Sequence, residues 1–189
     1  SKMIQRLTKT KFTLDYIRFN DQKDFIAFFK NKKLNEYNAV LLDSSKNEIN
    51  ILKNVFKQNS KLLFFNVTES NNDLRKNICL KNFFHTYPSE AMLTDSIAQY
   101  LIKKKWNKVL MLTGPLDEDK IFSNSFKQSS KKFGVKIIKE KFFVNSNDPR
   151  VRDKNSLAFL TKGKKYNTVF VSDIDGEFAL SIPNATMSP

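Results

Sequence analysis

One cysteine, Cys79, among 189 residues excludes an internal disulfide, a CxxC redox pair and any cysteine-cluster metal site. One histidine, His85, rules out the HExxH pair of a zinc protease. The four glycines form neither GxGxxG nor GxxxxGK(S/T), and no GxSxG elbow occurs. Dinucleotide, P-loop and serine-hydrolase readings therefore have no support. Long apolar runs are missing too: stretches such as Val109-Leu110-Met111-Leu112 stop far short of the ~20 residues that span a bilayer. No transmembrane segment is expected. The opening Ser1-Lys2-Met3-Ile4 has no signal-peptide pattern, as a mature or truncated chain would also show.

What is abundant is phenylalanine and lysine. Hydrophobic residues make up 40% of the chain and Phe contributes 18, enough to pack a core. The net charge is +14. A strongly basic surface attracts polyanions, so a nucleic-acid or anionic-membrane partner is one reading. The other is a lysine-rich bias on solvated helix faces. The excess is Lys rather than Arg and is dispersed along the chain (Lys30, Lys32, Lys33, Lys53, Lys57, Lys103, Lys104, Lys105, Lys131, Lys132, Lys162, Lys164, Lys165). Several of these fall where helices should end and cations favour the macrodipole. No nucleic-acid motif accompanies them, so no specific nucleic-acid partner is expected.

Short β-type runs at Phe12–Phe19, Ala39–Asp43, Leu62–Val67, Val109–Thr113, Val135–Val144 and Thr168–Ser172 alternate with helical patterns. Val40-Leu41-Leu42, Leu62-Leu63-Phe64-Phe65 and Val109-Leu110-Met111-Leu112 are apolar on successive residues, which requires both strand faces to be covered. Phe25, Ile26, Phe28 and Phe29 mark a helix near 22–33. Ile49, Leu52, Val55 and Phe56 mark the next, with Asn47 as cap. Ser89 caps a longer helix carrying Leu93, Ile97, Tyr100 and Leu101 and closing at Lys103-Lys104-Lys105. Ile121, Phe122, Phe126 and Phe133 mark a fourth, ended by Gly134; a weaker one spans about 151–161. The alternation points to an open, doubly wound α/β architecture. The connection from Thr68 to Pro88 suggests a crossing between lobes.

Asp43, Asp117, Asp173 and Asp175 fall at or just after strand C-termini, the edge where open α/β sheets bind ligands. They are equally ordinary turn and cap residues. His85 with Asp95 or Asp117 could form an acid–base pair, and Cys79 could serve as a nucleophile. A lone histidine beside Phe83-Phe84 is more often structural. Thr113-Gly114-Pro115 reads as a turn. Asn66-Val67-Thr68 and Asn184-Ala185-Thr186 match the glycosylation sequon, as chance allows in an Asn-rich chain.

From residue 64 onward one family is resembled. The pattern includes Phe65-Asn66-Val67, Asp73-Leu74-Arg75, Cys79, His85-Thr86-Tyr87-Pro88-Ser89, Ala91-Met92, Asp95-Ser96-Ile97-Ala98-Gln99-Tyr100-Leu101 and Trp106. It continues through Lys132–Ile138, Tyr166–Asp173 and Gly176-Glu177-Phe178. These look like the ABC-transporter substrate-binding component associated with PQQ-dependent alcohol catabolism, a branch of the type I periplasmic binding proteins. The resemblance implies two doubly wound parallel-sheet lobes, here 1–86 and 87–189, closing on a small solute. It implies a periplasmic, non-enzymatic protein without a cofactor, partnered by an inner-membrane permease. It also implies a chain of roughly double this length, so each lobe is expected to be incomplete, with the break at Ser188-Pro189. The ligand walls expected in such a cleft are Asp43, Ser44, Asn66 and Thr68 from the first lobe. The second supplies Gly114, Asp117, Asp173 and Asp175, and Tyr87 lies near the crossover. The competing readings are a small α/β enzyme using His85 and a basic nucleic-acid binder.

Overall fold

The computed structural model describes residues 11–30, 33–144, 146, 148–163 and 165–186, with the side chains of Lys33 and of 183–186 left undescribed. Residues 31 and 32 of the first expected helix, Lys164 and the Ser188-Pro189 break lie outside the described residues, as do the side chains of the second sequon. The chain divides into two compact units, 1–68 with 77–86 and 69–76 with 87–189.

In the first unit, β1 (Ala39–Leu42), β2 (Leu63–Asn66) and β3 (Phe83–His85) form a parallel sheet in that spatial order. α1 (Gln22–Lys30) gathers Phe25, Phe28 and Phe29 with Phe19 into an aromatic cluster, its ring centroids 5.0–5.4 Å apart. A 3₁₀ turn follows at Lys33–Glu36. The second expected helix is two, α2 (Lys46–Ile51) and α3 (Lys53–Gln58), joined at the buried Leu52. Its cap is Ser45 rather than Asn47. The Ser45 backbone N–H donates to the Glu48 carboxylate at 2.8 Å, and Glu48 N–H donates back to Ser45 Oγ at 3.4 Å. This is a capping box, and Asn47 sits too late to form one.

Phe64 and Phe83 are register partners on one sheet face, where Phe56 of α3 packs on both at 4.7 Å. Leu41, Phe65 and Phe84 are register partners on the other face, and Leu41 and Phe84 remain 59% and 42% exposed. The strand expected at Phe12–Phe19 is absent: residues 11–19 pair with no strand among the described residues, and an unpaired run has no ladder to make it a strand.

The second unit begins with α4 (Asn72–Asn77), then α5 (Glu90–Lys103), β4 (Lys108–Thr113), α6 (Asp117–Phe133) and β5 (Lys136–Phe142). α7 (Arg152–Asn155), α8 (Leu157–Thr161), β6 (Thr168–Ser172) and α9 (Glu177–Thr186) complete it. The strands are parallel in the order β5-β4-β6. Alternate residues of β4 serve two cores. Val109 and Met111 pack with Ala98, Leu101, Phe126 and Phe170 beneath α5 and α6. Leu110 and Leu112 pack with Phe143, Leu160 and Phe178 beneath α8 and α9. This sheet is doubly wound, as the apolar run at 109–112 requires.

Ser89 caps α5 as expected, and Gly134 ends α6 at φ 80°. The expected stripe on α5 holds in part: Leu101 is buried and Ile97 packs against the core, but Tyr100 is exposed and Thr94 and Ala98 are buried as well. The α5–α6 contact uses small residues and hydroxyls. Thr94 Oγ1 lies 2.9 Å from Ser129 Oγ, which donates to Asp95 at 2.7 Å. Small side chains let the helices approach, so Thr94 and Ala98 join Ile97 and Leu101 in the buried face. The weak helix at 151–161 breaks at Ser156, whose extended backbone separates α7 from α8.

Buried Asn82 ties the first unit together: its amide reaches the carbonyl oxygens of Phe56, Asn59 and Leu62 at 2.9–3.0 Å. Leucine would fill the space but withdraw all three bonds, leaving the Asn59 carbonyl with only the Leu62 N–H at 3.0 Å. Asn82→Leu is expected to lower unfolding free energy by about 1–3 kcal/mol, read by denaturant melts; an unchanged midpoint would dismiss this role.

Candidate functional site

The six strands of the described residues are parallel within their sheets, so each one's C-terminus opens on one edge of its unit. In the first unit that edge carries exposed Asp43, half-buried Ser44 and exposed Thr68. Beside β1 lies a hollow of about 680 Å³, lined by Tyr16, Phe28, Leu41, Asp43, Ser44 and Glu48 among others. Asn66 is placed differently. It is fully buried; its Oδ1 accepts from Thr68 N–H at 3.3 Å and its Nδ2 lies 3.0 Å from His85 Nδ1. With Oδ1 oriented by that backbone N–H, Nδ2 is the donor and His85 Nδ1 the acceptor, which leaves the His85 proton on Nε2. Thr86 adds two more bonds, from its N–H and its hydroxyl to the Asn66 carbonyl, each 3.0 Å. Asn66 thus shapes the loop that presents Thr68.

His85 also packs edge-on against Phe83 at 4.9 Å. The carboxylates once eligible to pair with it are engaged in the second unit: Asp95 by Ser129 and Lys132, Asp117 by Lys120. The geometry gives His85 a structural environment.

The second unit's edge is acidic. Asp117 opens α6 in solvent, bonded to Lys120 at 2.8 Å, which holds its carboxyl below the usual range. Half-buried Asp173 accepts from Ala179 N–H at 2.7 Å, and Asp175 accepts from Glu177 N–H at 3.2 Å. Burial pushes the Asp173 carboxyl up; the Ala179 bond opposes this, and the neighbouring Asp175 and Asp119 carboxylates add to it. Tyr87 is exposed, its carbonyl accepting from the Arg75 guanidinium.

Sequence reasoning missed Asp119. This carboxylate is fully buried, accepting from Leu116 N–H at 3.0 Å and from Ile174 N–H at 2.8 Å, while its carbonyl accepts from Ser172 Oγ at 2.6 Å. It joins the loop after β4 to the loop after β6. Gly114 makes room for it: a Cβ there would lie 2.2 Å from Asp119 Oδ2. Gly114 is therefore a packing requirement of the edge. The available signal was an acidic residue at the third helical position, three after the residue preceding the helix.

The family model described as the receptor family ligand binding region matches residues 3–182. The chain belongs to this ligand-binding family. No curated protein matches it significantly. Among solved structures it is similar to a putative branched-chain amino acid ABC transporter protein from Rhodospirillum rubrum (TM-score 0.65, 14% identity, 89% of this chain and 48% of that one). It is similar also to an ABC transporter substrate-binding protein from Desulfitobacterium hafniense in complex with Leu (0.59, 17%, 88% and 48%). A third is a solute-binding protein of an ABC transporter from R. palustris in complex with benzoate (0.55, 13%, 90% and 48%). These likenesses establish the fold, that of type I periplasmic binding proteins. The chain spans about half the length of these solved chains. Its family is one of ligand binding, not of enzymes.

Gly114→Ala is expected to destabilise the second unit by about 1–3 kcal/mol through overpacking. With Asp119→Ala the pair should cost less than the two single changes summed, because the clash is shared; additive losses in denaturant melts would sever the link. Asp173, raised in the folded state, contributes stability below the ordinary carboxylate value of ~3.9 that is lost as pH rises through its raised value. Asp173→Asn should therefore raise the melting temperature at pH 7 and lose that advantage below about pH 4. An advantage independent of pH would contradict it.

Proposed function

We propose that this chain is the solute-binding component, in whole or in part, of an ABC transporter, acting in the periplasm and delivering a small organic molecule to an inner-membrane permease. The observation that carries this reading is the match of residues 3–182 to a ligand-binding family. The strand-end residues supply the chemistry. Ser44 and Thr68 offer hydroxyl donors for an anionic group, and Asp43, Asp173 and Asp175 offer acceptors for a cationic one. Asp117 and Tyr87 extend the walls, while Asn66 and Gly114 hold the loops that present them. A cation beside Asp173 would relieve the crowding that raises its carboxyl. The solutes named in two structural relatives, Leu and benzoate, both carry a carboxylate. A carboxylate suits the hydroxyls of the first unit's edge, and an amine suits the carboxylates of the second unit's edge, each taken by itself.

The finer assignment, to the branch associated with PQQ-dependent alcohol catabolism, is supported by the residue pattern from Cys79 through His85-Thr86-Tyr87-Pro88-Ser89 to Trp106. It favours acids or aldehydes derived from alcohols, or PQQ itself, as ligands.

The test is a thermal-unfolding panel of amino acids, short acids, aldehydes, alcohols, benzoate and PQQ. A ligand at ~100 times its Kd stabilises by about 2.7 kcal/mol. One small molecule should raise the melt, and Thr68→Val or Asp173→Asn should weaken it about tenfold by calorimetry, ~1.4 kcal/mol. Tyr87→Ala should weaken it while leaving the fold intact. An alcohol-derived acid, an aldehyde or PQQ as the hit supports the finer branch; an amino acid supports only the transporter reading. A panel without any shift, or variants that bind as the parent does, would overturn the proposed walls.

A further inference from the structure

The same parallel topology that collects carboxylates at one edge of the second unit collects lysines at the other. Three segments lead into its strands: 100–108 into β4, 131–137 into β5 and 161–167 into β6. The described residues of these segments hold nine lysines and no acidic residue. The loops 114–119 and 173–177, at the opposite edge, hold six acidic residues and no basic one. Lysines dispersed in the sequence are therefore gathered by the fold. Lys108 and Lys136 are register partners, and Lys136 N–H donates to the Asn107 carbonyl at 2.7 Å. Among the described residues, Lys103, Lys104, Lys105, Lys108 and Lys136 are exposed and pair with no carboxylate.

Helix-end dipoles account for some of these charges, but two features exceed that account. The first is Lys105. It is the one non-glycine with positive φ among the described residues, at φ 61°. α5 ends there in a Schellman turn: Trp106 N–H donates to the Leu101 carbonyl at 2.8 Å and Lys105 N–H to the Ile102 carbonyl at 2.9 Å. α6 ends with Gly134 in the left-handed position, where glycine carries no strain. A lysine in the equivalent place keeps a cation at the cost of a backbone that glycine would adopt freely. The second is aromatic. Trp106, the chain's single tryptophan, and Tyr100 stand 44% and 51% exposed beside each other, with Lys104 Nζ over the Tyr100 ring at 5.6 Å.

We propose that this edge of the second unit is a docking surface for an anionic phospholipid bilayer. Charge complementarity selects the occupant. Lysine clusters attract anionic headgroups, and Trp and Tyr side chains sit at the level of those headgroups. Lysine is a point charge without the bidentate fork that makes Arg the usual reader of nucleic acid, so a duplex is the weaker match. This surface is remote along the strands from the proposed solute edge, and it does not depend on that reading.

Trp106 is the reporter. Its emission should shift to the blue when the full chain meets vesicles of phosphatidylcholine with phosphatidylglycerol, and stay unchanged with phosphatidylcholine alone. Cosedimentation should fall steeply between 50 and 500 mM salt, as screening requires. Lys105→Gly separates folding from binding: it should melt higher than the parent yet bind anionic vesicles about fivefold more weakly, one lysine's worth of surface attraction. Lys103→Gln with Lys104→Gln and Lys105→Asn should weaken binding about 100-fold. The same charge removed at Lys23, Lys57 and Lys61 in the first unit should change it only slightly. No blue shift on anionic vesicles overturns the proposal, as do equal losses from the two triple variants. Tighter binding to duplex DNA than to vesicles at matched salt would also overturn it.

Discussion

Parallel strand pairing is the constraint from which the rest follows. A parallel ladder cannot be closed by a tight hairpin, so each strand must be followed by a crossover, and in this chain each crossover carries helix. The helices run back against the strands, so their N-termini meet the strand C-termini at one edge and their C-termini crowd the other. Acidic first turns, as in Asp117-Glu118-Asp119, and basic last turns, as in Lys131-Lys132, then sort by edge without any long-range instruction. A rule that operates within single helices produces a polarised unit.

The acidic edge of the second unit is held by a buried charge as well as by the sheet. Asp119 accepts from the backbone on both sides of the gap between the loops after β4 and β6, and Gly114 is the vacancy that lets it approach. A carboxylate buried this deeply is tolerated because backbone donors replace the lost water. The neighbouring Asp173 lacks such compensation in full and sits under the field of two other carboxylates. The two acids differ in their surroundings: one fixes the loops, the other is crowded by burial and like charge.

Elements whose stability is local were legible in the sequence. Val109–Leu112 reads as a doubly covered strand because four successive apolar residues have no other economical home, and Ser89 and Gly134 read as caps because their chemistry acts within a few residues. Elements that depend on distant partners were not. Phe83–His85 is too short to announce itself, and it is a strand because Phe64 and Phe65 lie beside it. Phe12–Phe19 has the composition of a strand and no ladder. On α5 the apolar stripe was legible in part, through Ile97 and Leu101; Thr94 was not, since it meets Ser129 through hydroxyls whose value depends on a residue 35 positions away. The candidate site divides the same way: Asp43, Thr68, Asp173 and Asp175 follow from strand-end position alone. The burial of Asn66, the clamp at Asp119 and the packing duty of Gly114 depend on contacts that only the fold creates.

The first unit shows how far the parallel constraint reaches. Its sheet has one face under α3, where Phe56, Phe64 and Phe83 are closed off, and another where Leu41 and Phe84 stay in contact with solvent around a half-covered Phe65. Purely parallel sheets occur with both faces covered, because both faces of their strands are built from apolar side chains. The second unit obeys that rule through α8 and α9; among its described residues the first obeys it on one side only. The row Leu41–Phe65–Phe84 therefore has the composition of a core and the exposure of a surface. An apolar row in that position favours any helix able to lie across it, since covering it removes apolar area from water and leaves the backbone ladder unchanged. The chain's own strand chemistry thus calls for more structure on that face than its described residues place there.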